Sequence, residues 1–446
     1  MKLTIILFAA FCASVADLPH VTIIATGGTI AGVQKSSTST TNYKDSELAA
    51  DALIDAVPEV KDLAQINGIQ FSNIGSENMN TSLLLRLSKL VTTLISNGSA
   101  EGIVITHGTD TLEESAFFLD ITYDMSAPVA MVAAMRPSTA LSADGPFNIY
   151  EAVALASSKT ATNRGVMMTL NDRIGSAIYT TKTNTRSVDT FNAVEQGYLG
   201  MFNDKTPIFY YYPARAYKKP FFDISGVDSL PKVDILYGHI DSDVTLVNNS
   251  ISNGAKGIVV ACTGDGSLPT TWKEIAKYWT ESGVPIMRSS RTGSSYVSPG
   301  KDNLALGEYS YLNSGNYNPQ KARILLQLVL NEFGGRNSSL KLCSNAGCVD
   351  ENARRHSKNA VTGEAAVFFL LARPCHDLRA RPFGRDVEIV HAPATLMLFG
   401  PSPSYHLAGN PVAPIPGPDS LVLASVWGSS AVPAFDESLS SALKKL

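Results

Sequence analysis

Hydroxyl, carboxylate and amine side chains follow two short β-branched runs of this chain. Thr109 and Asp110 come directly after "GIVITH", and Lys182 stands between threonines after "GVMMTL". A lysine near an aspartate can act as the base for a weak hydroxyl nucleophile, while the carboxylate fixes the position of the lysine. These three residues are therefore candidates for nucleophilic catalysis at a threonine.

A third hydroxyl follows the first β-branched run, which ends in "ATGGTIAG" and places Thr29 after two glycines. Glycines allow backbone N–H groups to approach a developing oxyanion closely. The glycine spacing differs from the dinucleotide fingerprint G-x-G-x-x-G, so a nucleotide-binding protein is not favoured. The sequence also contains no G-x-S-x-G elbow, H-E-x-x-H motif or Walker loop.

The stretch "HGTDTLEES" also has a purely structural interpretation. Thr111 could cap a helix while Glu114, three residues later, reaches back in a capping box. This interpretation gives no role to Thr109 or Asp110, so both stay candidates. His107 is interpreted as a hydrogen-bonded polar residue at a strand end, and no histidine cluster of the metal-binding kind is expected.

Predicted strands and helices alternate along the part of the chain that carries these residues. Helical periods such as "SLLLRLSKLVTTLIS" separate the β-branched runs "VTIIAT", "GIVITH", "PVAMVAAM" and "GVMMTL". The pattern predicts an α/β fold with a mostly parallel, doubly wound sheet in a large N-terminal domain. Ligands of such sheets bind beyond the carboxyl ends of the strands, which is where the candidate residues lie.

The chain is predicted to divide into five segments. A second, smaller α/β domain is predicted from "KVDILYGH", "GIVVACTGDG" and a final amphipathic helix. Ten of the 23 prolines fall in the last 110 residues, which lack the strand–helix rhythm and are predicted to be disordered. The predicted segments are a signal peptide (1–16), an N-terminal domain (17–204), a linker (205–229), a C-terminal domain (230–335) and a Pro-rich tail (336–446).

Composition limits the classes of partner. A net charge of -4 gives no electrostatic reason to bind nucleic acid or an anionic membrane.

The first residues, "MKLTIILFAAFCASVAD", have Lys2, an apolar run too short to span a bilayer, and small residues at Ser14 and Ala16. They predict a cleaved secretory signal and a protein secreted to the extracellular, periplasmic or cell-wall space. Sequons for glycosylation stand at Asn80, Asn97, Asn248 and Asn337.

Several motifs in order resemble those of one family. "TIIATGGTIAG" and "VITHGTDTLEES" closely resemble the two signatures of the bacterial-type L-asparaginases, and "NIGSENMN", "AMRPSTALSADGPFN", "TKTNT" and "NPQKARILLQL" are also similar to that family. The resemblance runs from about Leu18 to Gly335 and, with the predicted signal, favours the secreted type II subgroup. It implies hydrolysis of L-asparagine to L-aspartate and ammonia, without metal or cofactor.

The resemblance also implies roles for individual residues. Thr29 matches the family's nucleophile, and Tyr43, in "SSTSTTNYKDS", matches the tyrosine that closes over and activates it. Thr109, Asp110 and Lys182 match a second triad that supports breakdown of the acyl-enzyme. Substrate contacts are implied for Ser76, Glu77, Thr109, Asp110, the backbone carbonyl of Ala134 and, from a neighbouring subunit of a homotetramer, Ser267.

One departure from the family keeps alternatives open. The segment "TGSSYVSPGKDNLALGE" has no clear glutamate where the family places one for the neighbouring site, and Asp302 is the nearest substitute. The alternatives are an amidase or glutaminase of the same architecture, and a catalytically silent secreted protein that binds a ligand in the same pocket. The retained Thr29, Thr109, Asp110 and Lys182 favour the enzyme.

Overall fold

A computed structural model gives the fold of the chain. The structure describes residues 18–38, 44–124, 126–212, 219–281, 283–294, 296–298, 305–306, 309–310 and 312–333. Every described residue belongs to one compact unit, Met1–Val361. The predicted signal peptide, Tyr43, Asp302 and the predicted tail lie outside the described residues.

The larger sheet has eight strands in the order β10-β9-β6-β5-β4-β3-β1-β2. The five strands from β2 to β5 in that order are parallel, and β6, β9 and β10 add an antiparallel edge. Their bounds are β1 His20–Gly27, β2 Gln65–Ile74, β3 Gly102–Thr106, β4 Val129–Val132, β5 Val166–Leu170, β6 Arg173–Ser176, β9 Gly200–Asn203 and β10 Thr206–Phe209.

The central strands are apolar on both faces because helices cover both sides of the sheet. In β1, Ile23 packs into one core and Ile24 into the other. Ile24 pairs with Ile105 of β3, which pairs in turn with Met131 of β4. This parallel register brings the carboxyl ends of β1, β3 and β4 to the same edge.

Four helices flank this sheet: α1 Ala50–Asp55, α2 Thr81–Ser96, α3 Leu112–Thr122 and α4 Gly145–Ala156. The core on one face includes residues of α1 and α4, and the core on the other includes residues of α2 and α3. Ten of the eleven residues of α3 are buried, since α3 also packs against the last helix through Phe117 and Phe118.

A second, four-stranded parallel sheet has the order β11-β12-β13-β16. Its strands are β11 Val233–Tyr237, β12 Gly257–Cys262, β13 Ile286–Ser290 and β16 Leu312–Asn313, with helices α5 Thr245–Ser252, α6 Thr270–Glu281 and α7 Pro319–Phe333. Helix α7 packs on this sheet and on α3 of the first sheet. Two short pairs complete the strands: β7 Thr181–Lys182 with β8 Phe191–Asn192, and β14 Ala305–Leu306 with β15 Tyr309–Ser310.

The structure confirms the predicted fold class, a large mostly parallel sheet followed by a smaller α/β unit. Residues 206–209, at the start of the predicted linker, form β10 and pair with β9. The predicted boundaries at 204, 229 and 335 stay predictions. Among the described residues, no helix combines the length and the apolarity that crossing a bilayer requires.

Candidate active site

The loops after β1 and β3 touch through two glycines. Gly28 has φ +82°, and a Cβ on it would lie 2.3 Å from the Cα of Gly108. Only glycine meets both demands, since other residues rarely adopt this φ and none could fit beside that backbone. Thr29 and Thr109 are the next residues after these two glycines, so the contact brings the two candidate threonines onto adjoining loops.

Thr29 opens a single 3₁₀ turn, Thr29–Ala31, and is 8% exposed. The turn is anchored at Gly28, whose N–H donates to the carbonyl of Ile74 at 3.0 Å and to Ser46 Oγ at 2.8 Å. The start of α4 closes on its other side, because a Cβ on Gly145 would lie 3.2 Å from Ile30 and 3.4 Å from Ala134. Thr29 therefore sits where the ends of β1, β2 and α4 meet.

Lys182 joins the two candidates that follow β3. Its Nζ donates to Thr109 Oγ1 at 2.9 Å and to Asp110 Oδ1 at 2.6 Å. The lysine side chain is 17% exposed, whereas the Asp110 side chain is 63% exposed. The structure thus brings the lysine amine to the adjacent hydroxyl and carboxylate, which lie more than seventy residues earlier in the sequence.

Ser76, from the loop after β2, binds the same turn. Its Oγ accepts hydrogen bonds from the N–H groups of Asp110 at 3.2 Å and Thr111 at 3.4 Å. The Thr111 hydroxyl donates to the Ser76 carbonyl at 2.7 Å and makes no cap bond to α3. The capping-box prediction for Thr111 and Glu114 is therefore wrong, because a tertiary contact takes the hydroxyl.

Two carboxylates converge above Gly75. A Cβ on this glycine would lie 2.4 Å from Glu77 Oε1 and 2.5 Å from Asp45 Oδ2. Glu77 also accepts a hydrogen bond from Asn78 Nδ2 at 2.9 Å. Glu77 was predicted from the sequence, but Asp45 was not, although it follows Tyr43 by two residues. Such a pair of carboxylates favours a cationic ligand group.

His107 stabilises the turn without being charged. It is fully buried, and its Nδ1 lies 2.8 Å from the Gly108 carbonyl and its Nε2 2.9 Å from Ser115 Oγ. Burial lowers the pKa of His107 to about 4. In the neutral ring Nδ1–H donates to the carbonyl, so Nε2 accepts from the serine. The structure agrees with the interpretation of His107 as a hydrogen-bonded strand-end residue.

Two side chains hold the loop that carries Ala134, those of Asn148 in α4 and of Asp144, which directly precedes α4. Asn148 Nδ2 donates to the Ala133 carbonyl at 3.0 Å, and Asp144 Oδ2 accepts from the Met135 N–H at 2.9 Å. These supports were not predicted from the sequence, although both residues lie in the motif "AMRPSTALSADGPFN". Their signal was the aspartate–asparagine spacing of four, which puts both side chains on one helix face.

Ser267 is not joined to this group by any hydrogen bond among the described residues. It is exposed in the loop after β12, and its N–H donates to the Thr263 carbonyl at 2.9 Å. The described ranges also hold no group of three or more His, Cys, Asp or Glu side chains arranged as a metal site. Tyr43 and Asp302 cannot be placed because they lie outside those ranges.

Comparison with known proteins gives consistent matches over most of the chain. "L-asparaginase 2" of Bacillus subtilis is 46% identical over 314 residues, which are 70% of this chain and 83% of that protein. "L-asparaginase 2" of Escherichia coli is 41% identical and covers 73% of this chain and 93% of its own length. The solved structure of a probable cytoplasmic L-asparaginase from Campylobacter jejuni matches with a TM-score of 0.69 at 42% identity, covering 72% of this chain and 98% of that one.

The last of these matches contradicts the predicted localisation. The Campylobacter jejuni protein, which has the same fold, is described as probably cytoplasmic. The prediction of secretion is therefore wrong. It depended on the apolarity of residues 3–14 and on small residues after them, and an apolar run of this kind is not specific to cleaved signals.

The predicted signal peptide and glycosylation also receive no support. Three sequon asparagines are engaged in local structure. The Asn80 side chain caps α2 by accepting from the Leu83 N–H, Asn97 accepts from the Ser99 N–H, and Asn248 accepts from the Trp279 indole. The fourth, Asn337, lies outside the described residues.

Two family models together match nearly the whole described part of the chain. Residues 20–215 match the asparaginase N-terminal domain, and residues 232–339 match the glutaminase/asparaginase C-terminal domain. With relatives above 40% identity over most of their length, the predicted L-asparaginase enzyme is confirmed. The chain belongs to the bacterial-type L-asparaginase family.

Proposed function

We propose that this enzyme hydrolyses L-asparagine to L-aspartate and ammonia through a covalent acyl-enzyme on Thr29. The observation that carries the proposal is the hydrogen bonding of Lys182 to Thr109 and Asp110, which lie on the loop that touches the Thr29 turn. A hydroxyl nucleophile with a second hydroxyl–lysine–carboxylate group beside it is suited to a two-step acyl transfer.

In the first step, Thr29 Oγ attacks the side-chain amide carbon of asparagine. The C–N bond breaks, an ester forms at Thr29, and the threonine proton leaves with the amide nitrogen as ammonia. Tyr43 is proposed to close over the site and relay this proton. The closely packed glycines before Thr29 suit backbone donors that stabilise the tetrahedral oxyanion.

In the second step, water attacks the ester carbon and Thr29 regains a proton as the ester C–O bond breaks. Thr109 orients the water, and the Lys182 amine takes the water proton through the Thr109 hydroxyl at 2.9 Å and returns it to Thr29 as the ester C–O bond breaks. Asp110 holds the lysine at 2.6 Å and compensates its charge when it is protonated.

Recognition of the free amino acid needs acceptors for its ammonium group and donors for its carboxylate. We assign the ammonium group to Glu77 and Asp110, and the α-carboxylate to the Ser76 hydroxyl and the Thr109 backbone. Ser76 Oγ already accepts from two backbone N–H groups, which orients its own hydrogen away from them. The Ala134 carbonyl would accept from the side-chain amide, whose N–H₂ is absent in aspartate.

The assembly is proposed to be a homotetramer in which Ser267 of one subunit completes the site of another. Its exposure in the loop after β12 supports such a role. The mass of the assembled protein in solution would establish the number of subunits. A monomer with full activity would contradict the shared site.

Ammonia release by the purified chain from asparagine, glutamine and a peptidyl amide tests the proposed reaction. Asparagine should have the highest kcat/KM, and the highest value for another amide would identify a different amidase. Thr29→Ala should lower kcat by at least about 10³-fold, as for other nucleophiles that act with a partner base. The matched control is Thr22→Ala, because Thr22 is a buried threonine of β1, the strand that leads into the Thr29 turn. Equal losses in the two variants would contradict the nucleophile assignment.

A further inference from the structure

The motif "NPQKARILLQL" has no part in the chemistry proposed above, yet it buries a cation. Lys321 of α7 is 2% exposed. Its Nζ donates to the carbonyl oxygens of Thr180 at 2.7 Å and Ile178 at 3.1 Å. These carbonyls lie two and four residues before Lys182, so a helix of the second α/β unit holds the segment that presents the active-site lysine.

The Lys321 ammonium group also lies near the segment that carries Asp110. Lys321 Nζ lies 3.8 Å from Glu113 Oε2, and Glu113 follows Asp110 by three residues at the start of α3. Asn318 completes the contact, since its Nδ2 donates to Glu113 Oε2 at 2.9 Å and to Thr181 Oγ1 at 3.3 Å. The start of α7 therefore binds the segments that carry Asp110 and Lys182.

Lys182 needs such support because its own strand is very short. Strand β7 has two residues, and its ladder with β8 consists of Thr181 opposite Asn192 and Lys182 opposite Phe191. A two-stranded pair of this length is not stable alone. The carbonyls just before it are fixed by Lys321, so the aim of the Lys182 side chain depends on that contact.

A buried ammonium group is costly, which makes a geometric role the natural explanation for retaining it. Burial lowers the pKa of Lys321 to about 8, while Glu113 and Asp120 act in the opposite direction. Replacing a buried ion pair with apolar residues is often neutral for stability, so net stabilisation does not account for the lysine. Its hydrogen bonds to two carbonyls, however, fix a direction that an apolar side chain could not.

We propose that Lys321 is a positioning residue of the active site, which keeps Lys182 within hydrogen-bonding reach of Thr109 by binding the Ile178 and Thr180 carbonyls. This inference rests on the proposed role of Lys182 in breakdown of the acyl-enzyme. Lys321 itself touches neither substrate nor the reacting atoms in this account. It couples the second α/β unit to proton transfer in the first.

The test compares Lys321→Met with Gln327→Met in the full chain. Gln327 is also buried on α7 and donates to a backbone carbonyl, that of Pro231 at 3.0 Å, away from β7. Lys321→Met should lower kcat by at least about 10-fold, or about 1.4 kcal/mol, with KM changed less than about threefold. Gln327→Met should keep the wild-type kcat even where its Tm falls as much. Hydrogen exchange should accelerate at residues 178–183 only in the lysine variant.

If wild type releases ammonia from asparagine but the two variants have equal kcat, the positioning role of Lys321 is overturned and the proposed function stands. If wild type releases none, the proposed function falls, and this inference falls with it. Should Lys321→Met not fold, Lys321→Gln replaces it, since the glutamine amide keeps a polar group at this position but its side chain is one bond too short to bind both carbonyls. An unchanged kcat in that variant overturns the inference.

Discussion

Short contacts between a few polar side chains hold the candidate active site together. Lys182 holds Thr109 and Asp110 within 3 Å, and Ser76 fixes the backbone of the same turn. The sequence predicted the residue types, since a hydroxyl, a carboxylate and a lysine follow β-branched runs. It did not predict the convergence of Asp45 with Glu77, because that contact joins segments that no local pattern relates.

A buried carboxyl away from the site gives a prediction about pH. Glu151 of α4 is fully buried, and burial together with nearby Asp172 raises its pKa to about 8. Its ordinary pKa is about 4.5, so between these values the folded state binds more protons than the unfolded state. The free energy of unfolding that this group contributes therefore falls as pH rises from 5 to 8 and is lost above 8.

The measurement is the Tm of wild type and Glu151→Gln across that range. The variant cannot ionise at this position, so the Tm of the variant minus that of wild type should increase as pH rises from 5 to 8. A difference between the two proteins that stays constant with pH would show that Glu151 does not titrate in this window.

The hydrophobic pattern of the sequence predicted the main strands and helices. Tertiary packing determined the features that the pattern did not predict. Runs such as "GIVIT" were recognisable as strands because both faces are buried. The capping box at Thr111 failed because Ser76, thirty-five residues earlier, takes the hydroxyl. Strand β7 was also missed, since two residues carry no periodicity and their support comes from α7.

The contact between the β1 and β3 loops gives a prediction of its own. Gly28→Ala should cost far more stability than Gly98→Ala and should abolish activity, because a Cβ at position 28 would lie 2.3 Å from Gly108. Gly98 is the matched control: its φ is +75°, close to the +82° of Gly28, and no atom lies within 4 Å of its added Cβ. Left-handed backbone alone costs an alanine about 1–2 kcal/mol, which is the loss expected at Gly98. Equal losses at the two positions, measured by urea unfolding, would show that the loops can separate freely.

At the scale of the molecule, helix α7 joins the two sheets and ends the described part of the chain at Phe333. Its apolar face packs on the second sheet and on α3, while Lys321 binds the segment just before Lys182. The sequence predicted the helix and its amphipathic face, but a single helix cannot indicate which two surfaces it will cover.

A chain cut after Gly335 keeps every residue that the structure describes. It should fold and hydrolyse asparagine with the kcat and KM of the full chain, because the two cores and the candidate site lie within residues 18–333. Tm and steady-state kinetics of both forms provide the comparison. A truncated chain that unfolds or loses activity would place the later residues within the folded enzyme and refute the predicted boundary at 335.

The proposed mechanism requires Thr29 to carry the acyl group and Lys182 to release it. Lys182→Met, mixed with asparagine and quenched in acid, should accumulate an enzyme one aspartyl group heavier, with the added mass on the peptide that contains Thr29. Wild type under the same conditions should accumulate less, because its second step is intact. An adduct on Thr109, or ammonia production at an undiminished rate with no adduct on any peptide, would contradict the account.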